Sequence, residues 1–256
     1  MKRSLMRPGL LPGFLTLFAF FLLWKGISLF FLPVFLPGPI ELARRLITVF
    51  SEGAAYLVVW KTVSRILVGL LLSMMIGIAI GLIMGLQRHI EAFLDSWIMV
   101  LLTFPAICWA FLSVLWFGLS DLGPILTIVL IVFPFVAMNV WEGTKAMEKE
   151  LIDMARVYKA GWGLTVRKVL IPQLMPFLFS SLRIALSLSW KIALVSEAFG
   201  VSVGVGQKLS YYFEDTRVDM MLAWGVSFMI FMVLVDLLVF RFLERRTFVW
   251  RHQVAV

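Results

Sequence analysis

Apolar runs of about 20 residues, parted by short polar interruptions, recur along most of the chain. A run of that length crosses a hydrocarbon core about 30 Å thick as a helix. The pattern predicts six spans, over residues 14–32, 62–86, 96–119, 125–141, 172–199 and 220–242. Between the first two, LPGPIELARRLITVF reads as a turn followed by a short amphipathic helix on the membrane. Residues 87–95 predict a short polar loop, 118–124 a tight turn, and GVSVGVGQKL a glycine-rich loop before the last span. Pro105 and Pro134 fall inside the third and fourth spans and predict static kinks, since proline is tolerated there when neighbours satisfy the freed carbonyl. The longest polar interruption is 142–171, and at its heart lies DMARVYKAGWGLTVRKVLIP, residues 153–172. It predicts a helix over 149–159, a turn through Gly161-Trp162-Gly163 and a second amphipathic run over 164–171. Pro172 is expected at the first position of the next helix, where its missing N–H is no loss.

Composition agrees with the pattern. Of 256 residues, 62% are hydrophobic and 15% charged, against about half apolar and about 25% charged in soluble domains. The fold class expected is an all-α polytopic membrane protein. Its parts are a tail, first span and connector over 1–60, a core of five spans over 61–250, and a tail over 251–256. The basic start (Lys2, Arg3, Arg7) resembles a signal peptide, but the run after it is too long and no small-residue cleavage site follows. Lys25, past the middle of the first span, is placed to snorkel. A single cysteine, Cys108, excludes an intrachain disulfide and a cysteine cluster. His89 and His252 have no partner at ligand spacing, so no metal site is expected. With the N-terminus inside, inner segments hold 14 Lys and Arg against five outside (Arg44, Arg45, Lys61, Lys208, Arg217). The positive-inside rule then places both termini and the 142–171 loop in the cytoplasm. That asymmetry accounts for the net charge of +8 without nucleic-acid binding, which needs basic residues interleaved with exposed aromatics in a soluble domain.

Two helical faces stand out. Gly69, Ser73, Gly77, Gly81 and Gly85 recur every four residues along the second span and form a ridge that lets another helix approach closely. In the fifth span, Ser180, Arg183, Ser187 and Lys191 share one face, with Glu197 near it. Ionisable groups inside spans are costly and face a cavity or a partner. The stripe therefore reads either as a water-filled, anion-tolerant path or as a set of pairings with neighbouring helices, with Asp236 in the sixth span one candidate partner. The sequence has no G-x-x-x-x-G-K-[ST] loop and no H-E-x-x-H, so an enzyme is not expected. Gly200, Gly204 and Gly206 lack the strand–helix setting of a dinucleotide fingerprint.

The segment LIDMARVYKAGWGLTVRKVLIPQLMP resembles the cytoplasmic "EAA" loop of binding-protein-dependent ABC transporter permeases. Asp153 takes the place of the family's Glu, Met154 and Ala155 those of its two Ala residues, Val169 and Ile171 the apolar positions, and Pro172 the Pro. Lys159 falls where the family has Gly, and Gly161 is the candidate to supply the turn instead. LPGPIEL, TVSRILVGLLLSMMIGIAIGLIMGL and WKIALVSEAFGVSVGVGQKL resemble the nitrate/sulfonate/taurine-type branch.

The resemblance implies a type I ABC importer permease of six transmembrane helices with a cytoplasmic coupling helix between spans four and five. It implies a homodimer in the bacterial inner membrane, cytoplasmic ATP-binding subunits holding ATP-Mg, and a periplasmic or lipid-anchored solute-binding protein; no cofactor is expected on this chain. Asp153, Ala155, Arg156, Lys159, Gly161, Trp162 and Pro172 are the coupling residues implied. Arg156 and Lys159 are candidates for ATPase carboxylates, and Trp162 for an apolar pocket or the membrane surface. Ser180, Arg183, Ser187, Lys191 and Glu197 are the implied path. The cationic stripe leans towards a small anion such as a sulfonate, taurine or nitrate. The alternatives are a vitamin precursor or other heterocycle and, from other classes, a secondary transporter, for which the chain shows no inverted repeat, or a membrane-embedded enzyme using Glu197 or Asp236.

Overall fold

The computed structural model describes residues 10–32, 35–51, 53 and 55–247, with side chains described to Phe240 at the C-terminal end. The tail over 251–256 lies outside the described residues, as do Lys2, Arg3 and Arg7. Helices account for every regular element among the described residues. In order they are α1 (Leu10–Ser28), α2 (Pro39–Ser51), α3 (Ala55–Leu86), α4 (Arg88–Thr103), α5 (Ala106–Phe117), α6 (Leu122–Lys145), α7 (Lys149–Val157), α8 (Trp162–Thr165), α9 (Ile171–Gly200), α10 (Val205–Glu214) and α11 (Val218–Thr247). A π-helical turn, Val166–Leu170, joins α8 to α9.

Among the described residues four helical stretches are long and apolar enough to cross a membrane: Ala55–Leu86, Leu122–Lys145, Trp162–Gly200 and Val218–Phe240. The bent pair α4–α5 makes a fifth if counted as one span, and the first apolar helix is shorter, Pro12–Ser28. The third predicted span is therefore broken rather than kinked, turning through 91° at Phe104–Pro105. Proline removes a ladder donor and pushes the residue before it out of the helical region; Phe104 sits at φ −69°, ψ 128°. Pro134, by contrast, lies within an unbroken α6. The predicted polar loop over 87–95 is largely helix, since α4 starts at Arg88, and the glycine-rich loop shortens to four residues before α10 begins at Val205.

The chain falls into two compact units. One takes in residues up to Tyr56 together with Lys208–Ile230, so it includes a stretch that the sequence predicts in the core. Within it, Arg45 bridges Glu41 (3.2 Å) and the buried Asp219 (2.9 Å). The other unit comprises Leu57–Gln207 and the segment from Phe231. Here the small-residue ridge of α3 lies against α6. A Cβ on Gly77 would stand 2.6 Å from Val136 Cβ, and one on Gly81 2.5 Å from the Ala137 carbonyl oxygen. Gly69 meets Ile128 and Gly85 meets Thr144 in the same way. Ser73, fully buried, turns its hydroxyl back onto the Gly69 carbonyl at 2.7 Å. Five small residues at four-residue spacing thus set the backbone separation of two membrane helices.

Candidate functional site

The 142–171 loop folds as α7, a tight turn, α8 and the π turn. Asp153 and Arg156 lie one turn apart on α7 and pair at 3.1 Å with both side chains mostly exposed. Ala155, between them, is buried. Val157, Tyr158 and Trp162 are 80%, 79% and 74% exposed, so an apolar surface flanks the ion pair. The loop is tied back to α9 where the Glu148 N–H donates to Gln173 Oε1 at 2.8 Å.

The end of α7 corrects one expectation. Lys159 adopts φ +50°, while Gly161 is extended at φ −62°, ψ 151°. The Ala160 N–H donates to the Ala155 carbonyl and the Lys159 N–H to the Arg156 carbonyl, each at 2.9 Å. Those two bonds form a Schellman closure, whose turn position favours glycine because only glycine lacks the Cβ penalty there. Lys159 therefore makes the turn itself, at the position where the resemblance places a glycine, and Gly161 does not supply it.

Pro172 stands in the first turn of α9, one residue after its start at Ile171, but the helical path reaches it without a break from Trp162. Its ring would collide with the carbonyl four residues back, and it offers no N–H. The π turn answers this: the Ile171 N–H bonds to the Val166 carbonyl, five residues back, shifting the ladder by one residue just before the proline.

On α9, Ser180, Arg183, Ser187 and Lys191 are all exposed on one side, while Ser181, Ala185, Ser189 and Ala193 on the other are buried. Asp236 of α11 stands 3.6 Å from the Arg183 guanidinium, which also lies over the Phe240 ring at 5.7 Å. Glu197 departs from this face. It is wholly buried, with no surface to offer a solute in this conformation, which corrects its placement on the path.

Glu197 is instead the centre of a polar clamp that the sequence did not reveal. Arg65 of α3, itself buried, donates from Nη1 to Glu197 Oε1 at 2.5 Å. Its Nε and Nη2 reach Asp121 Oδ1 at 3.0 and 2.5 Å. Glu197 Oε2 accepts from Thr62 Oγ1 (2.8 Å) and the Gly206 N–H (3.0 Å), and the Val205 N–H donates to Thr62 Oγ1 at 2.9 Å. Remote side chains of α3 and α9 thus satisfy the first backbone donors of α10. A Cβ on Gly204 would stand 2.5 Å from Glu197 Oε2, so the glycines of this loop admit its backbone to a carboxylate rather than to a dinucleotide. Asp121 precedes α6, makes no capping bond, and is half-exposed with Lys61 Nζ at 3.6 Å. The hydrogen bond from Arg65 holds its carboxyl below the ordinary value, with the charges of Arg65 and Lys61 adding to the effect against partial burial. The available signal was Arg65 itself, an ionisable residue inside a predicted span. Among the described residues no group of three His, Cys, Asp or Glu is placed to hold a metal ion.

Residues 73–249 match the family of binding-protein-dependent transport system inner membrane components. The chain is 27% identical over 227 residues to the taurine transport system permease protein of Escherichia coli, covering 87% of this chain and 82% of that one. It is 35% identical over 193 residues to the riboflavin transport system permease protein of Chloroflexus aurantiacus, covering 75% and 72%. Its fold is similar to a chain of the MetNI methionine ABC transporter in an inward-facing conformation, with TM-score 0.66 at 20% identity over 77% of this chain and 99% of that one. The loop, the packed spans and these likenesses make the chain a member of the binding-protein-dependent transport system inner membrane component family, a non-catalytic, multi-pass permease subunit of an ABC importer.

Proposed function

We propose that this permease couples to separate cytoplasmic ATP-binding subunits through 149–172 and works as a homodimer, receiving solute from a periplasmic or lipid-anchored binding protein. ATP-Mg binds on those subunits, and this chain carries no cofactor. The observation that carries the reading is the exposed apolar surface of Val157, Tyr158 and Trp162 beside the Asp153–Arg156 pair. Charged side chains on a short, tethered helix, with aromatic ones on the turn and helix that follow it, suit a groove on a partner. An exposed ion pair contributes little to folding, so these two charges are available to a docked subunit. Two ion pairs fit the expected orientation, with both termini cytoplasmic in the inner membrane. Lys145 meets Glu91 at 2.7 Å, joining two segments expected inside, and Lys61 meets Asp121, joining two expected outside.

The taurine relative favours a small sulfonate as solute, and the riboflavin relative supports a heterocycle as the second reading. Co-purification tests the coupling. Tagged wild type should retain its ATPase, and Asp153→Arg with Arg156→Glu should insert normally but lose it. No ATPase on the wild type would overturn the proposal. Uptake of neutral heterocycles, with no sulfonate carried, would overturn the solute reading alone.

A further inference from the structure

A cavity of about 530 Å³ opens between α9 and α11, lined by Arg183, Ser187, Trp190, Met232 and Asp236 among other apolar side chains. Its size and make-up, an apolar wall with a few converging polar groups, are those of a small-molecule site. We propose that this cavity binds a small zwitterion, with Arg183 taking the acidic group and Asp236 the cationic one; the proposal rests on the permease reading above.

Three observations lead there. Arg183 lies within the apolar span of α9, and Asp236 within that of α11, four residues before its end at Phe240. Charged groups inside spans face a cavity or a partner rather than lipid, and both side chains keep exposed surface on the cavity. The two charges sit side by side at 3.6 Å. A simple anion drawn to Arg183 meets the Asp236 carboxylate, and a simple cation drawn to Asp236 meets the guanidinium. A solute carrying both charges a few ångströms apart satisfies both by inserting between them. Finally, the guanidinium is held from behind by the Phe240 ring at 5.7 Å, and Ser187 on the next turn of the same face offers a hydroxyl to an acidic oxygen. The neighbouring carboxylate also revises the charge of the stripe: Asp236 neutralises Arg183, so the face no longer favours an anion at this point.

Saturation-transfer NMR on the permease in nanodiscs, which detects weak binding, tests this. The probes are 2-aminoethanesulfonate, ethanesulfonate and ethylammonium. The zwitterion should give a signal at least threefold stronger than either singly charged probe, and Arg183→Met with Asp236→Leu should abolish it. Ethanesulfonate matching the zwitterion, no signal from any probe, or a signal that survives the double substitution would overturn the site. The double variant must still bind ATPase, which separates this outcome from failure of the permease reading. Light scattering supplies a second check. A change of oligomeric mass together with loss of signal would make the pair a contact between copies and defeat the proposal.

Discussion

Glu197 of α9 receives the guanidinium of Arg65 of α3 at 2.5 Å, with both side chains buried. The pair lies where two long apolar helices meet the loop before α10, and it satisfies the Gly206 N–H as well. Removing Arg65 leaves the Glu197 charge buried without its cation, which costs about 3–5 kcal/mol, whereas removing Glu197 leaves Arg65 still paired with Asp121. Arg65→Met should therefore lower the unfolding temperature in detergent sharply, and Glu197→Leu by less. The double substitution should recover much of the loss, because a hydrophobic pair avoids desolvating the survivor. Losses that simply add would show that the two side chains do not act together.

Asp121 carries the exposed arm of the same clamp. Its carboxyl is held below the ordinary value of 3.8, so it binds protons less readily folded than unfolded. The stabilisation is present above the unfolded value and is lost as pH falls through the folded one. Between neutral pH and pH near 3, wild type should therefore lose more stability than Asp121→Asn, measured as the difference in unfolding temperature. The difference should be modest, since the carboxylate is half-exposed and screened. Equal losses would contradict the assignment.

The α3–α6 contact predicts a graded glycine series. A methyl on Gly77 falls 2.6 Å from Val136 Cβ and 2.8 Å from the Phe133 carbonyl oxygen. Gly77→Ala should destabilise by about 1–3 kcal/mol, the usual cost of overpacking. Adding Val136→Ala should restore part of it, the backbone carbonyl being unable to yield. Gly13→Ala, with nothing within 4 Å, is the control and should not lower the unfolding temperature, since alanine suits a helix better than glycine.

The loop predicts the opposite sign at one position. Lys159 holds a left-handed backbone that costs a residue with a Cβ about 1–2 kcal/mol. Lys159→Gly should raise the unfolding temperature, and Lys159→Val should lower it. Gly161→Ala should be neutral, since its φ is −62° and a Cβ there meets nothing within 4 Å.

Much of this molecule is written in local pattern. The hydrophobic runs locate the long helices because length and apolarity alone decide them, and the four-residue spacing of Gly69 to Gly85 marks a contact because small residues permit it. The exposed face of Ser180, Arg183, Ser187 and Lys191 follows from helical period, and Asp236 was a foreseeable partner. What escaped depends on pairing across distant segments. Glu197 shares the helical face of Arg183 by spacing but is turned into the clamp by Arg65, 132 residues away. Pro105 and Pro134 look alike in sequence, yet one breaks its helix and the other does not. The turn residue at the end of α7 hid behind its chemistry: a lysine does the work of a glycine because two backbone hydrogen bonds hold it there.

The most direct test of the coupling claim is ATP hydrolysis by the complex reconstituted in liposomes, with and without solute-loaded binding protein, comparing wild type with Tyr158→Ala, Trp162→Ala. Wild type should show hydrolysis stimulated by the loaded binding protein, and the variant should insert and fold yet lose that stimulation. Full stimulation in the variant would mean that this surface does not carry the signal between the permease and its ATPase.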